Sequence, residues 1–157
     1  MKVGEKGLAL IKESEGLRLK AYKCPAGVLS VGFGHTGKDV VAGMEISESR
    51  AVALLRQDLR VAETYLNSLC INFSQNQFDA LASWIYNLGV GSFSKSTLRK
   101  KIVAKADDEA ITDEIVKWVN AGGKPLIGLK RRRVKEANLF LGKERYKVDV
   151  FGNIVKR

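Results

Sequence analysis

Glu15 is the side chain of this chain best set for proton transfer. It follows an apolar-periodic stretch (Leu8, Leu10, Ile11) that predicts a short first helix ending near Gly16, and it precedes residues patterned as strand. A carboxylate at a helix–sheet junction can face a cleft. Withdrawn from water, it holds its proton toward neutrality and serves as a general acid. The plainer reading, a solvated glutamate at a helix end, fits most glutamates. Two thiols, Cys24 and Cys70, are too sparse for a disulfide framework. With the single His35 they cannot supply the four ligands of a structural zinc site. By position alone Cys24, beside a turn, reads as a small hydrophobe. Cys70 lies on an apolar helical stripe and is expected to be a buried core thiol. Gly32-Phe33-Gly34 lacks the strand-to-helix setting and the lysine of a phosphate loop.

The surrounding pattern says what must hold these residues. From Leu17 to Gly34, alternation, a Pro25-Ala26-Gly27 turn and glycine-punctuated apolar residues predict a small hairpin sheet. Thr36 to Gly43 is either loop or a third short strand. Behind Ser47, a candidate N-cap, Val52, Leu55, Leu59, Ala62, Leu66 and Leu69 recur at helical steps and predict a long helix. Ser74 with Gln77 fits a capping box. The apolar residues Phe78 to Leu88 behind it predict a buried helix, ended by Gly89 and Gly91. Further helices are expected over Ser94–Ala104, Asp108–Asn120 and Lys130–Leu141, with Trp84 and Trp118 in the core. Alternation around Gly152-Asn153 suggests a terminal hairpin. The sum is an α+β fold in one domain. A sheet lobe (about 12–45) is joined by a connecting helix (about 46–70) to a larger all-helical lobe (about 71–142), followed by a tail, 143–157. A cleft is expected where the lobes meet.

The chain has 157 residues, 45% of them hydrophobic, with two prolines, which excludes disordered, collagenous and low-complexity classes. There are no internal repeats. Lys and Arg number 27 against 17 acidic residues, a net +10. Residues 1–90 account for +1 of it and residues 91–157 for +9. Such a balance points to a polyanionic partner: nucleic acid, anionic lipid or anionic wall polymer. The basic half shows no nucleic-acid reading motif, so specific nucleic-acid binding is not expected. Arg99-Lys100-Lys101 and Arg131-Arg132-Arg133 read as solvated helix faces able to hold anionic polymer. No stretch approaches the ~20 apolar residues of a membrane span, and the N-terminus has no signal-peptide core, so a cytoplasmically made, soluble chain is expected.

Glu15-Gly16-Leu17-Arg18-Leu19-Lys20-Ala21-Tyr22 and Val31-Gly32-Phe33-Gly34-His35-Thr36 together resemble the muramidase-type lysozymes (endolysins) of tailed phages, glycoside hydrolase family 24. That family carries a Glu, eight residues, an Asp or Cys, five residues, then a Thr. Here the positions hold Glu15, Cys24 and Ser30. The similarity continues through Asn76-Gln77-Phe78-Asp79-Ala80-Leu81, Tyr86-Asn87-Leu88-Gly89, Gly91-Ser92-Phe93, Trp118 and Arg131-Arg132-Arg133, to about Gly142. The tail has no counterpart in it.

The resemblance implies a lysozyme-like fold and hydrolysis of the β-1,4 bond between N-acetylmuramic acid and N-acetylglucosamine, for host-cell lysis. Glu15 would protonate the leaving oxygen. Cys24 would act on the opposite face as base, nucleophile or electrostatic partner, and the Ser30 hydroxyl would position water. The family is described as inverting. Tyr86, Gly34 and Arg131 would contact substrate, with Tyr86 equally readable as core, and His35 resembles a structural residue bracing the hairpin. Ser for Thr is mild, but Cys for Asp demands ionisation. A free thiol has a pKa of ~8.5, which neighbouring Arg18, Lys20 and Lys23 could lower. Some relatives lock such a Cys in a disulfide, for which Cys70 is the one candidate partner here. No cofactor or metal is implied. The implied partner is peptidoglycan, met by a monomer made in the host cytoplasm and freed to the wall, in the periplasm, by a holin. The competing reading keeps the fold and loses the chemistry, leaving a catalytically impaired, lysozyme-like peptidoglycan-binding module.

Overall fold

A computed structural model describes all 157 residues. In chain order the elements are α1 (Glu5–Glu15), β1 (Arg18–Lys23), β2 (Leu29–Gly32), β3 (His35–Thr36), α2 (Glu48–Ser68), α3 (Gln75–Leu88), α4 (Val90–Lys95), α5 (Thr97–Val103), α6 (Asp108–Ile115), β4 (Asn120–Ala121), β5 (Lys124–Pro125), α7 (Ile127–Leu141), β6 (Tyr146–Val148) and β7 (Ile154–Lys156). The chain divides into two compact units, residues 11–61 and residues 1–10 with 62–157, whose boundaries fall inside α1 and α2. No helix is long and apolar enough to cross a membrane.

Residues 11–61 hold the antiparallel sheet β1-β2-β3, so the third short strand does form. Val31, Val40 and Leu54 make its buried centre, with Ala21, Leu29, Met44 and Ile46 packed against them. Gly32 and Gly34 take positive φ in the β2–β3 turn. At Gly32 a Cβ would also sit 3.3 Å from the Ala51 side chain, so the turn lies hard against α2. Ser47 caps α2 as expected: its Oγ accepts from the Arg50 N–H at 3.1 Å.

The second unit is built on helices. The capping box of α3 is complete, Ser74 Oγ accepting from Gln77 N–H and the Gln77 side chain from Ser74 N–H. Asp79, buried on α3, accepts from the N–H groups of Gly4 (2.8 Å) and Gly7 (3.0 Å), which open α1 and lack partners of their own within it. The helix expected over 94–104 is divided at Ser96. The Ser96 Oγ donates to the Phe93 carbonyl (2.7 Å) and accepts from the Arg99 N–H (3.0 Å), ending α4 and starting α5. Helix α6 stops at Ile115, short of Asn120, and the chain turns through the ribbon β4–β5.

Those boundaries correct two side-chain expectations. Cys70 is exposed, because α2 stops at Ser68 and Cys70 takes the left-handed conformation (φ 55°) that leaves the helix. The 3–4 period that would have buried it has already ended. Trp118 lies past the end of α6 and remains 37% exposed, edge-on to the buried Trp84 at 5.1 Å between ring centroids.

A third correction concerns the arginine triplet. Arg131 is exposed, but Arg132 and Arg133 are buried against α3 around Glu136. Glu136 Oε1 accepts from Ser83 Oγ (2.7 Å) and Arg132 Nε (3.2 Å). Arg133 Nε lies 2.9 Å from Glu136 Oε2, and its second nitrogen donates to Asn87 Oδ1 at 2.6 Å. Burial pushes the Glu136 carboxyl above its ordinary range, against the opposing pull of the two guanidinium groups. A helix advances about 100° per residue, so three consecutive arginines cannot share a face.

The tail forms the expected hairpin. Asn138 fastens it to α7, its side chain donating to the Tyr146 carbonyl (2.9 Å) and accepting from the Tyr146 N–H (2.8 Å). The buried Tyr146 hydroxyl donates to Asp113 at 2.6 Å. Burial and that carboxylate push the phenol up to about 12. At the hairpin tip Val150 and Phe151 are 94% and 85% exposed.

Candidate active site

Glu15 is the last residue of α1 and is half-buried. Gly16, at φ 73°, ends the helix, its N–H donating back to the Lys12 carbonyl at 2.9 Å. The chain then enters β1, which does not run straight beside β2. Arg18 lies opposite Gly32 and Tyr22 opposite Ser30, so a span of four residues on β1 faces a span of two on β2. The middle of β1 turns to another partner. Ala21 N–H donates to the Met44 carbonyl and Ile46 N–H to the Leu19 carbonyl, both at 2.8 Å, with Lys20 bridged to Glu45. A bulge of this kind bends the strand and re-aims its ends.

Cys24 opens the turn into β2. Its N–H donates to the Val28 carbonyl (2.9 Å) and its carbonyl accepts from the Gly27 N–H (2.8 Å). The thiol is free and half-buried. Ser30 stands in β2, the central strand, with Tyr22 on one side and Thr36 on the other, and is 4% exposed. The sheet unit therefore contains all three candidate catalytic residues, together with Gly34 in the β2–β3 turn (φ 86°). Of the candidate substrate contacts, half-buried Tyr86 near the end of α3 and exposed Arg131 on α7 belong to the other unit. Arg18 lies with its guanidinium 4.9 Å from the Tyr22 ring centroid.

His35 is engaged in structure. It is 4% exposed, with Nδ1 2.7 Å from Asp58 of α2 and Nε2 2.9 Å from Asp39. Burial alone would lower its proton affinity. The hydrogen bonds and charges of Asp58 and Asp39 outweigh that and hold the imidazole above its usual 6.5. Its hydrogen bond to Asp39 correspondingly keeps that carboxyl below 3.8. The histidine ties β3 to the middle of α2, which fixes the strand beside Ser30. The residues that sequence reasoning missed are its two carboxylate partners and the 44–46 segment. Asp39, four residues from His35, leaves a local trace in the sequence; Asp58 and the 44–46 segment leave none. No group of three or more His, Cys, Asp or Glu is arranged to hold a metal.

Chemically, the sheet unit contains a carboxyl at the end of α1, a thiol after β1 and a hydroxyl on β2. Residues 12–136 match the phage lysozyme family. The chain is 42% identical to an endolysin of Acyrthosiphon pisum secondary endosymbiont phage 1, over 89% of this chain and 98% of that protein. Its fold matches the crystal structure of a mutant P22 lysozyme with a TM-score of 0.81 at 39% identity, covering 90% of this chain and 99% of the other. It also matches the muramidase domain of SpmX from Asticaccaulis excentricus, with a TM-score of 0.80 at 34% identity, covering 89% of this chain and 97% of the other.

Proposed function

We propose, from the premise that the chain belongs to the phage lysozyme family and is a lysozyme-type glycoside hydrolase, that it hydrolyses the β-1,4 bond between N-acetylmuramic acid and N-acetylglucosamine in peptidoglycan. Glu15 gives its proton to the leaving glycosidic oxygen as the carbon–oxygen bond breaks. Cys24, as thiolate, takes a proton from the water that attacks the anomeric carbon from the other face, and Ser30 orients that water. Attack from the far side inverts the anomeric centre. Tyr86, Gly34 and Arg131 hold the glycan. The observation that supports this reading most is the order of one unit, in which Glu15 ends α1 before the irregular strand β1, Cys24 follows that strand, and Ser30 stands opposite Tyr22 on β2. The enzyme acts as a monomer after release from the host cytoplasm by a holin, and its work is lysis of that host.

Clearing of outer-membrane-permeabilised Gram-negative cells tests the assignment. Glu15→Gln is expected to lose activity by a factor of about 10²–10⁴, the usual worth of a positioned general acid. Cys24→Asp should retain activity and Cys24→Ala should lose most of it. Clearing by wild type no faster than by Glu15→Gln leaves the impaired wall-binding module as the correct reading. Full activity in Cys24→Ala removes the thiol from the mechanism.

A further inference from the structure

Six basic side chains of the helical unit are paired with acids. Arg132 and Arg133 face Glu136, Lys101 and Lys117 face Glu114, and Arg145 and Lys156 face Glu109, with Asp113 also on Lys156. A different set converges on one open pocket of about 730 Å³. Lys6 reaches it from α1, Arg131 and Lys135 from consecutive turns of α7, and Lys143, Lys147 and Arg157 from the tail. Lys6, Arg131, Lys143 and Lys147 have no ion-pair partner. The one acidic side chain on the wall, Glu144, accepts a hydrogen bond from Asn138 Nδ2 at 3.3 Å. Four of the six cations, Lys6, Lys143, Lys147 and Arg157, lie outside the family-matched segment 12–136. Together they form a concentrated positive field in a unit that contains neither Glu15, Cys24 nor Ser30.

We propose that this pocket is an anion-binding site for a phosphodiester polymer carried on the cell wall. Six cations around an open pocket of this size exceed what a single phosphate neutralises, whereas a chain of phosphates presents one charge after another along the wall of the pocket. Lysines suit this role as mobile point charges for phosphate oxygens, and Arg131 adds a fork that can take two. Asn76, from the first turn of α3, contributes an amide to the same wall. Concave positive surfaces raise local anion concentration and capture rate, so the site would hold the enzyme on the wall while its chemistry proceeds. The wall as source rests on the function proposed above; the anion site does not.

The test uses the full chain and the triple variant Lys6→Ala, Lys143→Ala, Lys147→Ala, with the same three positions changed to Arg as the charge-preserving control. Three probes are compared at low and high salt: inorganic tripolyphosphate by calorimetry, sacculi bearing poly(glycerol phosphate) against the same sacculi stripped of it, and a short DNA duplex. The alanine variant should bind tripolyphosphate and polymer-bearing sacculi at least about tenfold more weakly, and with a shallower salt dependence, as expected when counterion-releasing contacts are lost. The arginine variant should bind like wild type, and lysis of stripped sacculi should be equal in all three proteins. Unchanged tripolyphosphate binding in the alanine variant overturns the site. Equal retention on stripped and polymer-bearing sacculi, or tighter binding to DNA than to the polymer, overturns the wall polymer as its ligand. A wild type that binds tripolyphosphate but lyses no sacculi overturns the function proposed above and leaves the anion site standing.

Discussion

Both ring nitrogens of His35 face carboxylates, which makes the sheet unit's stability depend on pH in a defined direction. Its folded proton affinity exceeds that of the unfolded chain, so the stabilisation is complete below the ordinary 6.5 and is lost as pH rises through the higher folded value. Asp39 acts in the opposite sense. Its folded value lies below 3.8, so its contribution is present above 3.8 and disappears as pH falls through that lower value. His35→Asn should therefore destabilise by about 1.5–3 kcal/mol in mild acid, the worth of hydrogen bonds to charged groups. The deficit should shrink as pH rises past neutrality; denaturant titrations at several pH values read both the size and the slope. A deficit independent of pH would mean that packing, and not the paired charge, is what His35 supplies. The bracing role of His35 was legible in the sequence only through the family resemblance. Its main partner was not, because Asp58 lies 23 residues away on another element. Cys70 failed for a local reason: periodicity predicts burial only while the helix lasts, and α2 ends two residues earlier.

At the scale of elements, α3 and α7 are joined through a charge that has left water. Removing Glu136 leaves two buried guanidinium groups without their anion, and breaking such a set costs about 3–5 kcal/mol. Glu136→Gln, which keeps the shape and removes the charge, should lower stability by that order in thermal or chemical unfolding while leaving surface charge untouched. Gly7 sets two effects against each other. Gly→Ala inside a helix normally gains up to about 1 kcal/mol. Here the added methyl would lie 2.7 Å from Val3 Cγ1 and 2.8 Å from Asp79 Cβ, and would push away the carboxylate that holds the start of α1. The clash should win, with Gly7→Ala less stable than wild type by about 1–3 kcal/mol, the usual range for overpacking. The long amphipathic α2, the capping box of α3 and the terminal hairpin were all legible, because each follows from local periodicity or capping chemistry. The break at Ser96 was not: a serine that bonds backward to Phe93 and forward to Arg99 looks in sequence like any residue in a longer helix. The bulge in β1 was hidden for the converse reason, since its partner segment, Met44–Ile46, is more than twenty residues distant.

For the molecule as a whole, the net +10 is not a uniform coat. Part of the basic excess of residues 91–157 is internal, on Arg132 and Arg133, and part is neutralised by Glu109, Asp113 and Glu114. The remainder includes the cations of the pocket lined by α7 and the tail. The tail itself lies beyond the family match, and it is nonetheless fastened by Asn138, Tyr146 and Lys156. Its tip is the exception. Five of the six phenylalanines are buried, and Phe151 is 85% exposed in the two-strand connection. Limited proteolysis with an enzyme that cuts after large aromatic residues should therefore begin there and yield a fragment ending at Phe151, seen by mass spectrometry. The six residues beyond the cut remain paired through β7 and Lys156, so the nicked protein should elute intact and come apart only in denaturant. Early cleavage at any other aromatic residue would show that the tip is covered in solution. If the nick is clean, the tip is a point where the chain can be opened, tagged or extended while both strands of the hairpin stay in register.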